Sequence, residues 1–581
     1  MTNLSFAELI QANREADEVL FVMSKSVLNL MDCVGNNYSA LCAPLEVLSV
    51  VEETTVRERA VRGLQEVCKR MSPSVCYRDM FPLMKRLAEA EWFTPRRSAC
   101  GLLSPIYNKV EMPQRSEVLD TMNHLVADET PMVRRAVAAA MAGMAMAQNG
   151  NQVAVSQLSP IWMTLTEDPH FSVRVAAVNA TGALVTAVGK DAALASILPH
   201  ISNNLSTSRG WRVRNALAGQ LGTLSKSLPG SASSHIVPIC ATLLRDYEEE
   251  VIESTMNQLA TVTEAIKKDE GNAGLKVLND SLIRVLYYVS GVEERRTEPS
   301  PRIRRAVARC TLAMAAVDPQ VLGSSCVRIW EKFFTDTKSK DYADVSRITM
   351  DGLRTILLSL GSEFSFADSS KWGKLLRQLY ENSKSKAVDE INAQILANQS
   401  GQTQAQAMGD ALPGDPVETP KWRVRVSIIE NLDALLKVDK MQAMQLWTSA
   451  LSDEAFEVRT KAGGVLESLC RNSSIGPDVV AKDFCPILLQ FYRKSHEQGS
   501  YQQRIAAVHC AGSLALFPGP WATVKPIFID ALKDNVTNVV LAALMTAKKQ
   551  PEISKALKNE ISTLLKSGDP DVVDFAKSAL S

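Results

Sequence analysis

The residues best suited to chemistry are few. The chain has 581 residues, with six histidines and eleven cysteines. His509 and Cys510 stand side by side in "AAVHCAGSLAL" and are the first candidates for a thiol–imidazole pair. A cysteine nucleophile needs its base within hydrogen-bond reach. Successive residues of a helix point about 100° apart, so this pair reads as packed helix. His124 and His170 fall near turns and read as surface residues. No C-x-x-C spacing marks a zinc or thiol-redox site. No Walker-type phosphate loop, H-E-x-x-H or G-x-S-x-G is present either. The sequence offers no catalytic set, no cofactor site and no metal site, and it reads as a non-enzyme.

Composition narrows the partners. Lys plus Arg and Asp plus Glu are both 64, so the formal net charge is zero. A general nucleic-acid binder needs a positive excess for phosphates. Scattered cysteines fit a reducing compartment. The N-terminus lacks the basic start and apolar core of a signal peptide, and no apolar run reaches the roughly 18 residues of a membrane span. We expect a soluble chain, cytoplasmic with the nucleus as a second location, bound to neither nucleic acid nor membrane. Its hydrophobic share of 46% over this length calls for several domains or one extended array.

The elements that must position any site are repeats. "DETPMVRRAVAAAMAG", "DPHFSVRVAAVNATG", "RGWRVRNALAGQLG", "SPRIRRAVARC" and "PKWRVRVSIIENL" are variants of one phrase. Its arginine falls at Arg57, Arg96, Arg134, Arg174 and Arg214, at spacings of 39, 38, 40 and 40, and later at Arg304, Arg425, Arg459 and Arg504. Ile252, Ser346, Val540 and Val573 occupy the position in degenerate copies. A period near 40 built from two helices predicts an all-α HEAT-repeat α-solenoid of about 14 antiparallel helix pairs. In each repeat an apolar-periodic helix is broken by acidic, Pro or Ser/Thr residues. Thr130 or Ser300 can cap the next helix, with Pro131 or Pro301 in its first turn. The Val of the phrase should pack inward. The Arg should reach an Asp or Glu of a neighbouring turn, building a ladder of exposed pairs worth about 0 to 1 kcal/mol each.

The predicted layout is a cap helix over 1–15, repeats over 16–384, a Gln/Gly-rich loop over 385–419 and further repeats over 420–581. The interval from Ile252 to Arg304 is 52, which places about a dozen surplus residues near 285–300. The interval from Ser346 to Arg425 is 79, about 40 too long, and the surplus is too polar to bury much surface.

Aromatic residues at the starts of second helices are the strongest binding signal: Trp92, Phe93, Trp211, Trp422, Phe456 and Tyr501. Tryptophan beside arginine is the composition of an interaction hot spot. At these residues the chain resembles a family. "VEETTVRERAV", "EWFTPRRSACGL", "DETPMVRRA", "GWRVR" and "PKWRVRVSIIENL" are similar to the scaffolding A subunits of protein phosphatase 2A. The resemblance runs from about residue 16 to the C-terminus and is strong through residue 225 and from 420 to 465. It implies a horseshoe of helical hairpins without activity of its own, acting in a heterotrimer rather than a homo-oligomer. Early turns would hold an exchangeable regulatory B-type subunit through Trp92, Phe93, Glu129, Pro131, Arg134, Arg135, Trp211 and Arg212. Late turns would hold the phosphatase catalytic subunit through Trp422, Arg423, Phe456, Tyr501, Arg504 and Val536. The family has 15 repeats, and against that pattern this chain would be expected to start partway through the first. The Gln-rich insertion and Val540 also depart from the family pattern. The alternative is a HEAT-repeat nuclear transport receptor or another protein-binding solenoid.

Overall fold

The computed structural model describes residues 10, 17–31, 33–146, 154–293, 298–335, 342–360, 371–381, 383, 422–472 and 475–581. Every regular element among them is a helix. Helices follow one another as antiparallel pairs in two compact blocks, Met1–Val317 and Asp318–Ser581. The fold is all-α, a solenoid of HEAT type.

The second helices of the first block are α1 (Thr54–Arg70), α2 (Phe93–Lys109), α3 (Pro131–Met146), α4 (Phe171–Asn179) continued as α5 (Thr181–Val188), and α6 (Trp211–Ser227). The inward Val is as predicted: Val56, Val133, Val173 and Val213 are fully buried. First helices lock onto second helices through their own core residues. Trp162 and Trp447 are fully buried, and each indole N–H donates to a carbonyl 15 residues later, that of Ala177 at 3.1 Å and that of Ala462 at 3.0 Å.

Glycines set how closely neighbouring second helices approach. A methyl group at Gly182 would lie 2.7 Å from Thr223 Cγ2, and one at Gly222 would lie 3.0 Å from Thr261 Cγ2. Small residues at these positions let the stack close up.

The arginine ladder differs from expectation in a way that matters. Its pairs are largely withdrawn from solvent in the first block and buried in the second. Arg134 donates from Nη1 to the carbonyls of Asp128 and Glu129 in its own turn, at 2.7 and 3.0 Å. From Nε and Nη2 it forks the carboxylate of Asp168 in the next turn, at 2.6 and 3.0 Å. Arg96 does the same with Asp128, and Arg214 with Asp246. In the second block Arg425 pairs with Asp453 at 2.9 Å and Arg504 with Asp534 at 2.8 Å, with side chains at most 3% exposed. Each of these aspartates also accepts the backbone N–H two residues on, as Asp168 does from His170 and Asp534 from Val536. Removing one partner of such a pair therefore strands a buried charge.

The ladder has gaps that the sequence explains. Arg57, Arg174 and Arg459 bind their own turn carbonyls. At the place of the next aspartate stand Ala90, Ser208 and Gln498. Ile252 and Val540, which replace the arginine, are buried as apolar side chains.

In the long 252–304 interval, α7 (Glu249–Ser290) is two helices joined at Gly271, whose φ of 60° and ψ of −150° suit only glycine. The surplus is shared between these two long helices and the link to Pro301–Val317. Ser300 accepts the Ile303 N–H through Oγ at 3.3 Å, as a cap should. The predicted 1–15 helix lies outside the described residues except for Ile10, and the 385–419 loop lies wholly outside them. The helices flanking that loop, 371–381 and α8 (Trp422–Glu430), belong to one repeat. Arg425 Nη1 donates to the Ser383 carbonyl at 2.8 Å.

Asp534→Ala should destabilise the Tyr501–Lys549 region by about 3 to 5 kcal/mol. Replacing both partners, Arg504→Met with Asp534→Leu, should recover most of that loss. Amide hydrogen exchange read separately along the chain checks this. Equal loss of protection in the single and double variants would mean that packing, not the buried charge, sets the cost.

Candidate protein-binding turns

The ladder numbers the turns. Three residues before the arginine lie Phe93, Phe171, Trp211, Trp422, Phe456 and Tyr501, with Thr54, Pro131 and Pro301 in the same register before Arg57, Arg134 and Arg304. Before Phe93, Phe171, Trp211, Phe456 and Tyr501 the backbone is extended, and a helix starts at each of these residues. Phe456 is 63% exposed, Phe171 45% and Tyr501 40%, while Trp92, one residue before the register, is 72% exposed. Phe93, Pro131, Trp211, Trp422 and Val536 are half-buried, and Glu129, Arg135, Arg212 and Arg423 are exposed.

Adjacent turns are joined at their surfaces. The Arg212 guanidinium lies 4.6 Å from the Trp211 ring centre and 5.5 Å from that of Phe171 on the preceding turn. Arg423 covers Trp422 at 5.6 Å. Glu129 Oε1 comes within 3.6 Å of Arg96 Nη2, tying its turn to that of Trp92. Trp92, Phe93, Glu129, Pro131, Arg135, Trp211 and Arg212 thus stand on turns of the first block. Trp422, Arg423, Phe456, Tyr501 and Val536 stand on turns of the second.

Two residues assigned to these surfaces have other work. The Arg134 side chain is 13% exposed and held by Asp168. That of Arg504 is 3% exposed and held by Asp534. Each positions a turn rather than presenting its own head group, because the guanidinium is committed to the aspartate that fixes the stack. Sequence reading missed Phe171 and also Tyr247, which is 99% exposed. Counting three back from Arg174 would have found Phe171. The equivalent count from Ile252 reaches Glu249, so Tyr247 carried no such signal.

Charge at the turns is tuned by the same contacts. Burial alone would raise the carboxyl groups of Asp128, Asp168 and Asp246. Hydrogen bonds from Arg96, Arg134 and Arg214, with backbone N–H groups, outweigh it and hold all three below the usual carboxylate range. The His509–Cys510 pair is packed helix. Burial pushes the Cys510 thiol well above its ordinary value and pushes His509 down. Among the described residues, no group of three or more His, Cys, Asp or Glu side chains could hold a metal ion, and no single helix is long and apolar enough to cross a membrane.

Comparison with known proteins gives these turns a context. Residues 146–288 match the family described as PIK3R4-like, middle domain. The PP2A regulatory protein of the A type from Schizosaccharomyces pombe is 32% identical over 215 residues, 36% of each chain. This chain is similar to phosphatase 2A regulatory A subunits. A probable serine/threonine-protein phosphatase PP2A regulatory subunit of Caenorhabditis elegans is 36% identical over 178 residues, 30% of each chain. The protein phosphatase 2A scaffold subunit of Dictyostelium discoideum is 39% identical over 126 residues, 21% of this chain and 22% of that one. The matched stretches span little more than a third of these relatives at most. Among solved structures, importin beta aligns over 96% of this chain and 68% of its own, at 13% identity and a TM-score of 0.49.

Because the folded aspartates titrate below the unfolded value of about 4, their stabilisation is whole above that pH and is lost as pH falls through the folded values. The first block should therefore lose stability in acid below about pH 4. Asp168→Asn should be less stable near neutrality but have a shallower acid decline. Helical circular dichroism followed through a pH series checks this, and parallel curves for the two proteins would remove Asp168 from the account.

Proposed function

We propose that the chain is the non-catalytic scaffold of a Ser/Thr protein phosphatase 2A holoenzyme. Turns of the second block hold the catalytic subunit, and turns of the first block hold an exchangeable regulatory B-type subunit. The observation that carries this reading is the outward aromatic register on successive turns, in a chain with stretches 32 to 39% identical to phosphatase 2A regulatory and scaffold subunits. Aromatic side chains flanked by arginine supply anchor area and cation–π contact at little entropic cost. Where the ladder is complete, as at Pro131, Phe171 and Phe456, it keeps the turns from rearranging when a partner is absent, so binding loses little to ordering. The placement proposed is cytoplasmic, with the nucleus as a second location.

The test is capture of the full chain from a lysate followed by mass spectrometry. A phosphatase catalytic subunit together with a regulatory subunit should co-purify. Cargo with a small GTPase, and no phosphatase, would overturn the reading in favour of transport.

Trp422→Ala should weaken catalytic-subunit binding by about 2 kcal/mol or more, as truncating an aromatic anchor does. Calorimetry on the purified partners measures it, and an unchanged affinity would exclude Trp422 from the contact.

Glu129→Arg should weaken regulatory-subunit binding by about 2 to 5 kcal/mol if Glu129 meets a buried partner charge. It should leave the catalytic subunit bound, since contacts in a stack reach only nearest neighbours. A competition assay scoring both partners reads this. Loss of both together would mark the turn as structural, and loss of neither would remove Glu129 from the site.

A further inference from the structure

A trough of about 1150 Å³ runs along the faces of α1, α2, α3, α4 and α6 and reaches the turns at Phe171, Trp211 and Arg212. Its lining includes six basic side chains and one acidic one, Glu58. This imbalance stands out in a chain whose formal charges cancel.

Half of those cations are already accounted for. Arg57 is 4% exposed and binds its own turn. Glu58 answers Arg97 at 3.1 Å, and Glu66 answers Lys69 at 2.5 Å. Arg62 and Arg135 are exposed, and neither has an acidic partner among the described residues. Arg212 rests on the rings of Trp211 and Phe171 with its charge turned to no carboxylate there. The floor between them is small and apolar, with Ala139, Gly143, Val175 and Ala176.

Spacing defines the ligand. Arg62, Arg135 and Arg212 lie on α1, α3 and α6, every second helix of the row. Packed helices lie about 8 to 10 Å apart, so successive cations stand roughly 20 Å apart. An extended chain covers that in about six residues. We propose that the trough binds an extended acidic segment of a partner polypeptide, its carboxylates about six residues apart and its small or apolar residues on the alanine–glycine floor. A nucleic-acid strand fits poorly. Its charges recur every few ångströms, and three cations spread over roughly 40 Å would leave most phosphates unmatched. The inference rests on the regulatory-subunit reading, because the trough shares Arg135, Trp211 and Arg212 with the turns assigned to that subunit, but it is tested with the purified chain alone and so fails separately.

The probe is a fluorescein-labelled peptide of fourteen residues carrying glutamates six apart in an alanine–leucine–serine host, titrated against the full chain by anisotropy. Its glutamine counterpart and a single-stranded oligothymidine serve as comparisons. The glutamate peptide should bind, and both comparisons should bind at least about tenfold more weakly. Arg62→Glu with Arg135→Glu should weaken the glutamate peptide by about tenfold or more. Ala139→Trp, which fills the floor without changing charge, should do the same. Lys226→Glu with Lys268→Glu, an equal charge change away from the trough, should leave binding intact. Circular dichroism confirms that each variant is folded. Equal binding of the glutamine peptide or the oligonucleotide would overturn the proposal. So would unchanged binding in the trough variants, or an equal loss in the Lys226/Lys268 pair.

Discussion

In the repeats that keep it, one arginine guanidinium carries the architecture. A turn between two helices leaves backbone carbonyls facing no helix partner, and a buried carboxylate needs a countercharge. The arginine resolves both, as Arg134 does. Its Nη1 satisfies two carbonyls of its own turn, and its remaining nitrogens fork the aspartate of the next. That aspartate in turn accepts the N–H that opens its own second helix. Turn conformation, helix start and repeat-to-repeat register become one interlocked unit, so none can shift without stranding a charge in a site of low dielectric.

The display of aromatic side chains follows from that lock. At Pro131, Phe171 and Phe456, three positions before the arginine, the helix start is fixed by an Asp–N–H bond, so the direction of the side chain is fixed too. Arg212 lies against Phe171 and Trp211 and so bridges two turns whose ladder pair is absent, Ser208 standing where Arg174 would meet an aspartate. The same rigidity takes Arg134 and Arg504 out of direct contact, since nitrogens engaged with Asp168 and Asp534 cannot also serve a partner without breaking the stack. Next to Phe171, Trp211 and Arg212, glycine and alanine bring second helices close and leave a shallow floor. The charges beside that floor do not cancel locally, although they cancel over the chain.

The sequence alone determined the repeat. A Val-Arg step recurring near every 40 residues is visible without coordinates because each repeat must solve the same packing and capping problem with the same residue types. The inward Val, the outward aromatic and the ladder itself were legible for that reason, and so was the poor prospect for His509 and Cys510, which follows from helical geometry. Tertiary structure decided what depends on depth and on neighbours. Whether a ladder pair is exposed or buried rests on the helices packed over it, and the Arg504–Asp534 side chains are at most 3% exposed where the sequence suggested surface. The 252–304 surplus became two long helices because Gly271 permits a corner that no periodicity records. The trough's unmatched cations come from residues 150 positions apart, Arg62 and Arg212, and only the stacking of helices puts them on one face.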